Sequence, residues 1–115
     1  MNLTPDTSLS HYQIRSYERG KIIINLDTVV TQNLILSATK LIYPWDVNNL
    51  EEILNLSPAI VLLGTGEAFK ILSPKFLSPF YKKNIGVEVM NTSAACRTFN
   101  VLVSEGRNVV AGLIL

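Results

Sequence analysis

The sequence predicts a single α/β domain in which a set of short antiparallel strands precedes a β-α-β-α-β unit. Three observations carry that prediction. Between Tyr12 and Tyr43 the apolar side chains come in short, loosely alternating runs separated by turn residues. Beyond Pro58 two apolar runs, Ala59 to Leu63 and Val87 to Met90, are each followed by a segment with helix start and stop signals. The stretch Gly86 to Arg107, GVEVMNTSAACRTFNVLVSEGR, then compresses a strand, a turn, a capped helix and a helix stop into one segment.

A chain of 115 residues that is 48% hydrophobic suits one core, burying roughly two thirds of the surface its unfolded form exposes. Ten Lys/Arg against nine Asp/Glu leave a net charge of +1, so the chain has no broad basic field, nucleic-acid binding is disfavoured and no nucleic-acid partner is expected. Cys96 and His11 are the only residues of their types. They cannot build a structural zinc site or an internal disulfide, so no metal or other cofactor is expected, and the compartment is expected to be reducing. The N-terminus lacks a basic region followed by an apolar one, so no secretory signal is expected. The longest apolar runs, Ala59 to Leu63 and Val109 to Leu115, fall far short of the roughly 20 residues that span a bilayer. The expectation is a soluble, cytoplasmic protein that reaches a membrane only peripherally, through a partner.

Taken in order, residues 1–11 read as a poorly ordered lead-in and residues 12–115 as the domain. Tyr12 to Tyr17, the turn Arg19-Gly20 and Lys21 to Leu26 form a hairpin, and Gln32 to Ser37 and Thr39 to Tyr43 add two strands to the same antiparallel set. Asn48 with Glu51 three residues later has the form of a capping box opening a short helix, which Ser57-Pro58 ends. Ala59 to Leu63 is continuous rather than alternating, as in a strand covered on both faces. Ser73-Pro74 opens a helix reaching about Asn84, in which Pro79 predicts a kink or an irregular first turn. Asn91 or Thr92 caps the next helix, whose Ala95, Phe99, Leu102 and Val103 face the sheet and which stops at Gly106; Val109 to Ile114 is the last strand.

The run Glu88, Val89, Met90, Thr92, Ala94, Ala95, Arg97, Thr98, Phe99, Asn100, Val101 and Leu102 resembles the Mth938-like domain family. The Gly64-Thr65-Gly66 turn, Asn25 and Trp45 fall at places consistent with that resemblance, which covers residues 12–114. It implies a three-layer fold, a mixed sheet with helices packed on one side plus the N-terminal antiparallel β region. It also implies no established enzymatic activity; relatives include complex I assembly factor 3, which acts through protein partners. Two positions depart from the family pattern: Asn91 stands where aspartate is common and Phe99 where tyrosine is common. Asparagine keeps a helix cap and loses a carboxylate, which moves the expectation from chemistry toward binding.

The strands at 59–63 and 87–90, joined by one helix, should lie parallel with their C-terminal ends together. Gly64, Thr65 and Gly66 then face Asn91, Thr92 and Ser93 across the edge where open α/β sheets take ligands, and the helix start favours an anion. The bland alternative is a tight glycine turn beside a closely packed helix. Arg97 either adds charge to that edge or pairs with Glu88 or Glu105, while Asn100 flanks it. Cys96 is expected to be a small buried apolar group rather than a nucleophile. Trp45, Phe69 and Phe76 are expected in the core, with a partner-binding patch as the alternative.

No Ser-His-Asp order, P-loop or HExxH is present. The favoured expectation is therefore a non-enzymatic binding or assembly factor that acts through a partner protein in respiratory or membrane-complex biogenesis, using the surface Gly64 to Glu67 and Asn91 to Asn100. A small-molecule enzyme or anion-binding protein at the same edge is the alternative, and a two-fold homo-oligomer without ligand is a third reading.

Overall fold

The strands of this chain divide between two sheets. The computed structural model describes residues 11–115, so all but the last residue of the expected lead-in, residues 1–11, lies outside the described residues. A small antiparallel sheet has the order β1-β2-β3, from Ile14–Glu18, Lys21–Ile24 and Thr28–Val30. A five-stranded sheet has the order β5-β4-β8-β6-β7, from Leu34–Ser37 (β4), Leu41–Ile42 (β5), Ile60–Gly64 (β6), Gly86–Met90 (β7) and Val109–Leu113 (β8). Among the described residues three helices connect them: α1 Glu51–Leu54, α2 Pro74–Lys82 and α3 Thr92–Ser104.

The expected hairpin is β1 and β2, with Gly20 at φ +80 supplying the left-handed residue its tight turn needs. The expected single antiparallel set of the first 45 residues is corrected in two ways. Thr28 to Val30 forms a strand the pattern did not announce, and β4 and β5 leave the first three strands to join the second half of the chain. The reason lies in Leu34, Ile35 and Leu36, all 0% exposed. Leu34 and Leu36 enter one core and Ile35 the other. A strand covered on both faces belongs inside a sheet with layers on either side, and β4 accordingly pairs antiparallel with β8.

β6 pairs in parallel with both β7 and β8. The chain therefore moves one way from β6 through α2 to β7, and back past β6 through α3 to β8. Right-handed crossovers in opposite directions place their helices on opposite faces of a sheet. The expectation of helices on one side is corrected accordingly. On one face Ile53 of α1 and Leu77 and Phe80 of α2 pack with Trp45 against Ile35, Val61, Leu63 and Val110. On the other face Ala95, Cys96, Phe99 and Val103 of α3, together with Ile14, Ile22, Ile24 and Val30 of the small sheet, pack against Leu36, Leu62, Ala111 and Leu113.

Helix ends follow local chemistry with one exception. Ser73 Oγ accepts the Phe76 N–H at 3.1 Å, and Asn84 takes the left-handed conformation, φ +61, that ends α2. α2 is continuous through Pro79. Pro79 has no N–H to offer the Lys75 carbonyl, and Lys75 is exposed, so water can satisfy that group. The capping box at Asn48 is the exception. α1 starts at Glu51 without a side-chain cap, and Asp46 Oδ1 instead accepts the Asn48 N–H at 2.9 Å. That turn delivers Trp45 to the core, with its Nε1–H donating to the Asn49 carbonyl at 3.1 Å.

The Trp45 ring packs against the sheet at Gly112, where β8 offers no side chain. A Cβ built at Gly112 would stand 2.7 Å from Trp45 Cη2 and 3.0 Å from Ile53 Cδ1. Gly112→Ala is therefore expected to destabilise the protein by about 1–3 kcal/mol through overpacking. Urea unfolding followed by the fluorescence of the single tryptophan checks it; the midpoint should fall while the slope stays constant.

Candidate functional site

The reversal of chain direction about β6 makes the β6–β7 C-terminal edge the topological switch point, the place where an open α/β sheet usually leaves a crevice. Here Thr92 occupies it. Its Oγ1–H donates to the Ile114 carbonyl at 2.6 Å, and the same oxygen accepts the Gly66 N–H at 2.8 Å. Its own N–H donates to the Gly66 carbonyl at 2.8 Å. One buried side chain thus ties the ends of β6, β7 and β8. Gly64 is required for the approach, because a Cβ there would meet Thr92 Oγ1 at 2.9 Å and Leu113 Cδ2 at 3.0 Å. Gly66, at φ +97, makes the turn that returns its amide to Thr92.

Thr65 organises the other wall. Its N–H donates to the Met90 carbonyl at 2.9 Å, its Oγ1–H donates to the Ala68 carbonyl at 2.8 Å, and the oxygen accepts the Lys70 N–H at 3.1 Å. These bonds fold the start of the β6–α2 loop into a pinned turn. Beyond it, Phe69 is 56% and Ile71 87% exposed. The expectation of core burial holds for Trp45, at 3%, and fails for Phe69, because the pinned turn carries it outward.

On the α3 side Asn91 Oδ1 accepts the Ala94 N–H at 2.8 Å, so this residue is the cap. Arg97 is exposed, and its Nη1 donates to Ser93 Oγ at 2.8 Å rather than pairing with Glu88 or Glu105. Glu88 stands exposed in the middle of β7. Asn100 lies further along α3 and belongs to another joint. Its Oδ1 accepts the Ile14 N–H at 2.8 Å and its Nδ2 donates to the Ile14 carbonyl at 2.7 Å. The structure therefore brings Gly64, Thr65, Gly66, Asn91, Thr92 and Ser93 together, with Arg97 beside Ser93, and places Glu88 and Asn100 elsewhere.

Acid–base and nucleophilic chemistry have little to draw on at this edge. The hydrogen-bonding capacity of Thr92 is used within the protein. Burial pushes the Cys96 thiol up from 9.0 to about 12, with Arg97 opposing only in part. His11 lies at the opposite end of α3, lining an open cavity of about 310 Å³ with Gln13, Val103, Ser104 and Gly106. Among the described residues no group of three or more His, Cys, Asp or Glu is placed to hold a metal ion. Tyr17, which the sequence did not single out, carries a buried hydroxyl without a hydrogen-bond partner among the described residues. Its pKa is raised by burial, then by Glu67 and Cys96. No helix among the described residues is long and apolar enough to cross a membrane.

A five-stranded mixed sheet with layers on both faces, joined to a small antiparallel sheet, gives the class, an Mth938-like α/β domain. Residues 14–114 match the family described as "protein of unknown function (DUF498/DUF598)", and the chain belongs to that family. It is similar to the NADH dehydrogenase [ubiquinone] 1 alpha subcomplex assembly factor 3 of Xenopus tropicalis, 40% identical over 111 residues, which cover 88% of this chain and 60% of that protein. It is similar also to the 13 kDa major membrane protein of Francisella tularensis subsp. holarctica, 33% identical over 83% of this chain and 84% of that protein. The Mth938-like domain of Bordetella pertussis, solved by NMR, shares the fold with a TM-score of 0.79 at 24% identity, over 99% of this chain and 92% of that one.

Two outcomes check this geometry. Thr92→Val leaves the buried Gly66 N–H and the part-buried Ile114 carbonyl without their side-chain partner, and is expected to cost about 1–3 kcal/mol, read by chemical denaturation. Cys96 is expected to resist iodoacetamide at pH 8 in the native protein and to react once unfolded. An unfolded thiol ionises above about pH 9 while the native one stays neutral to about 12. The stability contributed by the neutral thiol is complete below pH 9 and is lost as pH rises toward 12, so wild type should lose more over that window than Cys96→Ala.

Proposed function

We propose that this protein is a non-enzymatic assembly factor that binds a partner protein in the biogenesis of a respiratory or other membrane complex. The observation that carries the proposal is the loop after β6, whose base is pinned by Thr65 and which holds Phe69 and Ile71 in water. Large apolar groups held outside the core by a rigid base mark an interaction surface. Burying each against a partner contributes about 1.5–3 kcal/mol before the costs of association. Glu67, on the same loop, and Arg97, on the exposed start of α3, supply polar groups for the rim.

The relatives named as complex I assembly factor 3 support the assembly part of this reading. The chain spans 60% of the length of the Xenopus protein, so the role of that whole protein is carried over as part of the proposal. A cytoplasmic chain attached peripherally to a membrane through its partner fits the same reading. The anion-binding alternative has one feature in its favour, the exposed Arg97 guanidinium beside the first turn of α3. Against it, Thr92 and Asn91 already take the Gly66 and Ala94 amides that an anion would use.

Purification of tagged full-length protein from native extract, with recovered proteins identified by mass spectrometry, tests the proposal. Wild type should recover subunits of one membrane complex. The double variant Phe69→Ser with Ile71→Ser should lose them with an unchanged melting temperature; retention would show that the partner binds elsewhere. Thermal-shift titration with phosphate, carboxylates and nucleotides should leave the melting temperature unmoved. A ligand at 100 times its dissociation constant would add about 2.7 kcal/mol of stability and favour the anion reading. Light scattering separates both from a stable two-fold dimer.

A further inference from the structure

The two sheets have four edges, and three of them are guarded. β5 has two residues and β3 three. β1 is broken by a register shift between Ile14 and Ser16, and its Ile14 main chain is bonded by Asn100. Short edge strands, bulges and covering groups are the usual protection against pairing with another chain. Among the described residues the fourth edge, β7, has none of these, and its one charged side chain is Glu88. It has five residues in unbroken register with β6, from Ile60↔Gly86 to Gly64↔Met90, and contains neither proline nor lysine. Among the described residues β6 is its only neighbour.

The groups this edge presents can be identified. The Gly86 N–H donates to the Ala59 carbonyl at 3.3 Å and the Met90 carbonyl accepts the Thr65 N–H at 2.9 Å, so both residues direct their main chain at β6. With the two-residue period of a strand Glu88 does the same, and the N–H and C=O of Val87 and Val89 point away from the sheet. Their side chains lie half-buried on the α2 face, while Glu88 stands exposed on the α3 face.

We propose that the outer edge of β7 accepts an extended segment of a different protein as a sixth strand, with a lysine or arginine opposite Glu88 and apolar residues beside Val87 and Val89. This rests on the partner-binding role proposed above and adds the mode of recognition. Four main-chain groups supply the bonds of β-strand addition, and side-chain alternation supplies the selectivity. Charge selects the occupant. If a second copy paired antiparallel so that all four outward groups of each β7 were used, Val87 would face Val89 and Glu88 would face Glu88 of that copy. Like charges directly opposite are destabilising at the close spacing of a non-hydrogen-bonded pair, whereas a basic residue there is favourable.

The probes are two capped eight-residue peptides, one alternating valine with lysine and one alternating valine with glutamate, titrated into isotopically labelled full-length protein and followed by NMR. The lysine peptide should shift the Val87 and Val89 amides, slow their hydrogen exchange and bind at least tenfold more tightly than the glutamate peptide. Val89→Pro removes an outward N–H that the fold does not use and should abolish binding. Glu88→Lys, at an exposed side chain that leaves folding intact, should reverse the peptide preference, which keeps the test decisive if the proline variant does not fold. Val87 and Val89 amides unmoved by both peptides, an unchanged preference in Glu88→Lys, or protection of those amides by self-association without peptide would each overturn the inference. In the native-extract purification, partner retention by folded Val89→Pro overturns strand addition alone. Absence of any partner on wild type counts instead against the proposed function.

Discussion

The Thr92 hydroxyl is the constraint on which the arrangement of this domain depends. It donates to Ile114 after β8 and accepts from Gly66 after β6, while its own residue follows β7. Three strands that the crossovers bring together in space are thereby fixed at their ends. A hydroxyl can do this because it is both donor and acceptor, and it needs Gly64 to leave room for it. In an open α/β sheet the same place is commonly a ligand crevice. Here its polar groups are spent on each other, and the proposed recognition features lie around it: the loop carrying Phe69 and Ile71, and the outer edge of β7, which no other strand covers among the described residues.

A second joint has the same logic at the other end of α3. The Asn100 amide bonds both main-chain groups of Ile14, as a neighbouring strand would, and so fastens the small sheet to the helix. Apolar packing of Ile14, Ile22, Ile24 and Val30 against Phe99 and Ala95 supplies the larger share of the attachment, and Asn100 sets its position. By contrast the Arg19–Glu67 pair, at 3.8 Å and highly exposed, links the β1–β2 turn to the loop after β6 with little energetic consequence.

Local signals in the sequence were legible because the physics behind them is local. Ser73 and Asn91 cap helices through residues three positions away, Asn84 and Gly106 take left-handed ends, and the continuous run at β6 marks a strand covered on both faces. The sheet-facing apolar stripe of α3 follows from its 3- and 4-residue spacing, and Cys96, expected to be a small buried apolar group, is buried beside it. What stayed hidden depends on partners remote in sequence. Asn100 and Ile14 are 86 positions apart, and nothing in either residue's surroundings marks the pairing. The membership of β4 in the large sheet was carried by Leu34-Ile35-Leu36, whose lack of alternation is a faint sign beside the stronger hairpin signals around it. Asn48 and Glu51 satisfy a capping pattern, yet Asp46 captures the Asn48 amide first. The Gly64-Thr65-Gly66 turn was visible as a turn; whether it framed a ligand or a hydroxyl depended on the packing of Thr92, which no local pattern encodes.

Amide hydrogen exchange at Gly66 tests most directly whether the switch point is a closed joint rather than a ligand crevice. With its N–H held by Thr92 and 3D packing shutting out water, the Gly66 amide should exchange as slowly as amides in β6 and β8, through global unfolding alone. Exchange of Gly66 at the rate of an open loop, while β6 and β8 remain protected, would contradict the account.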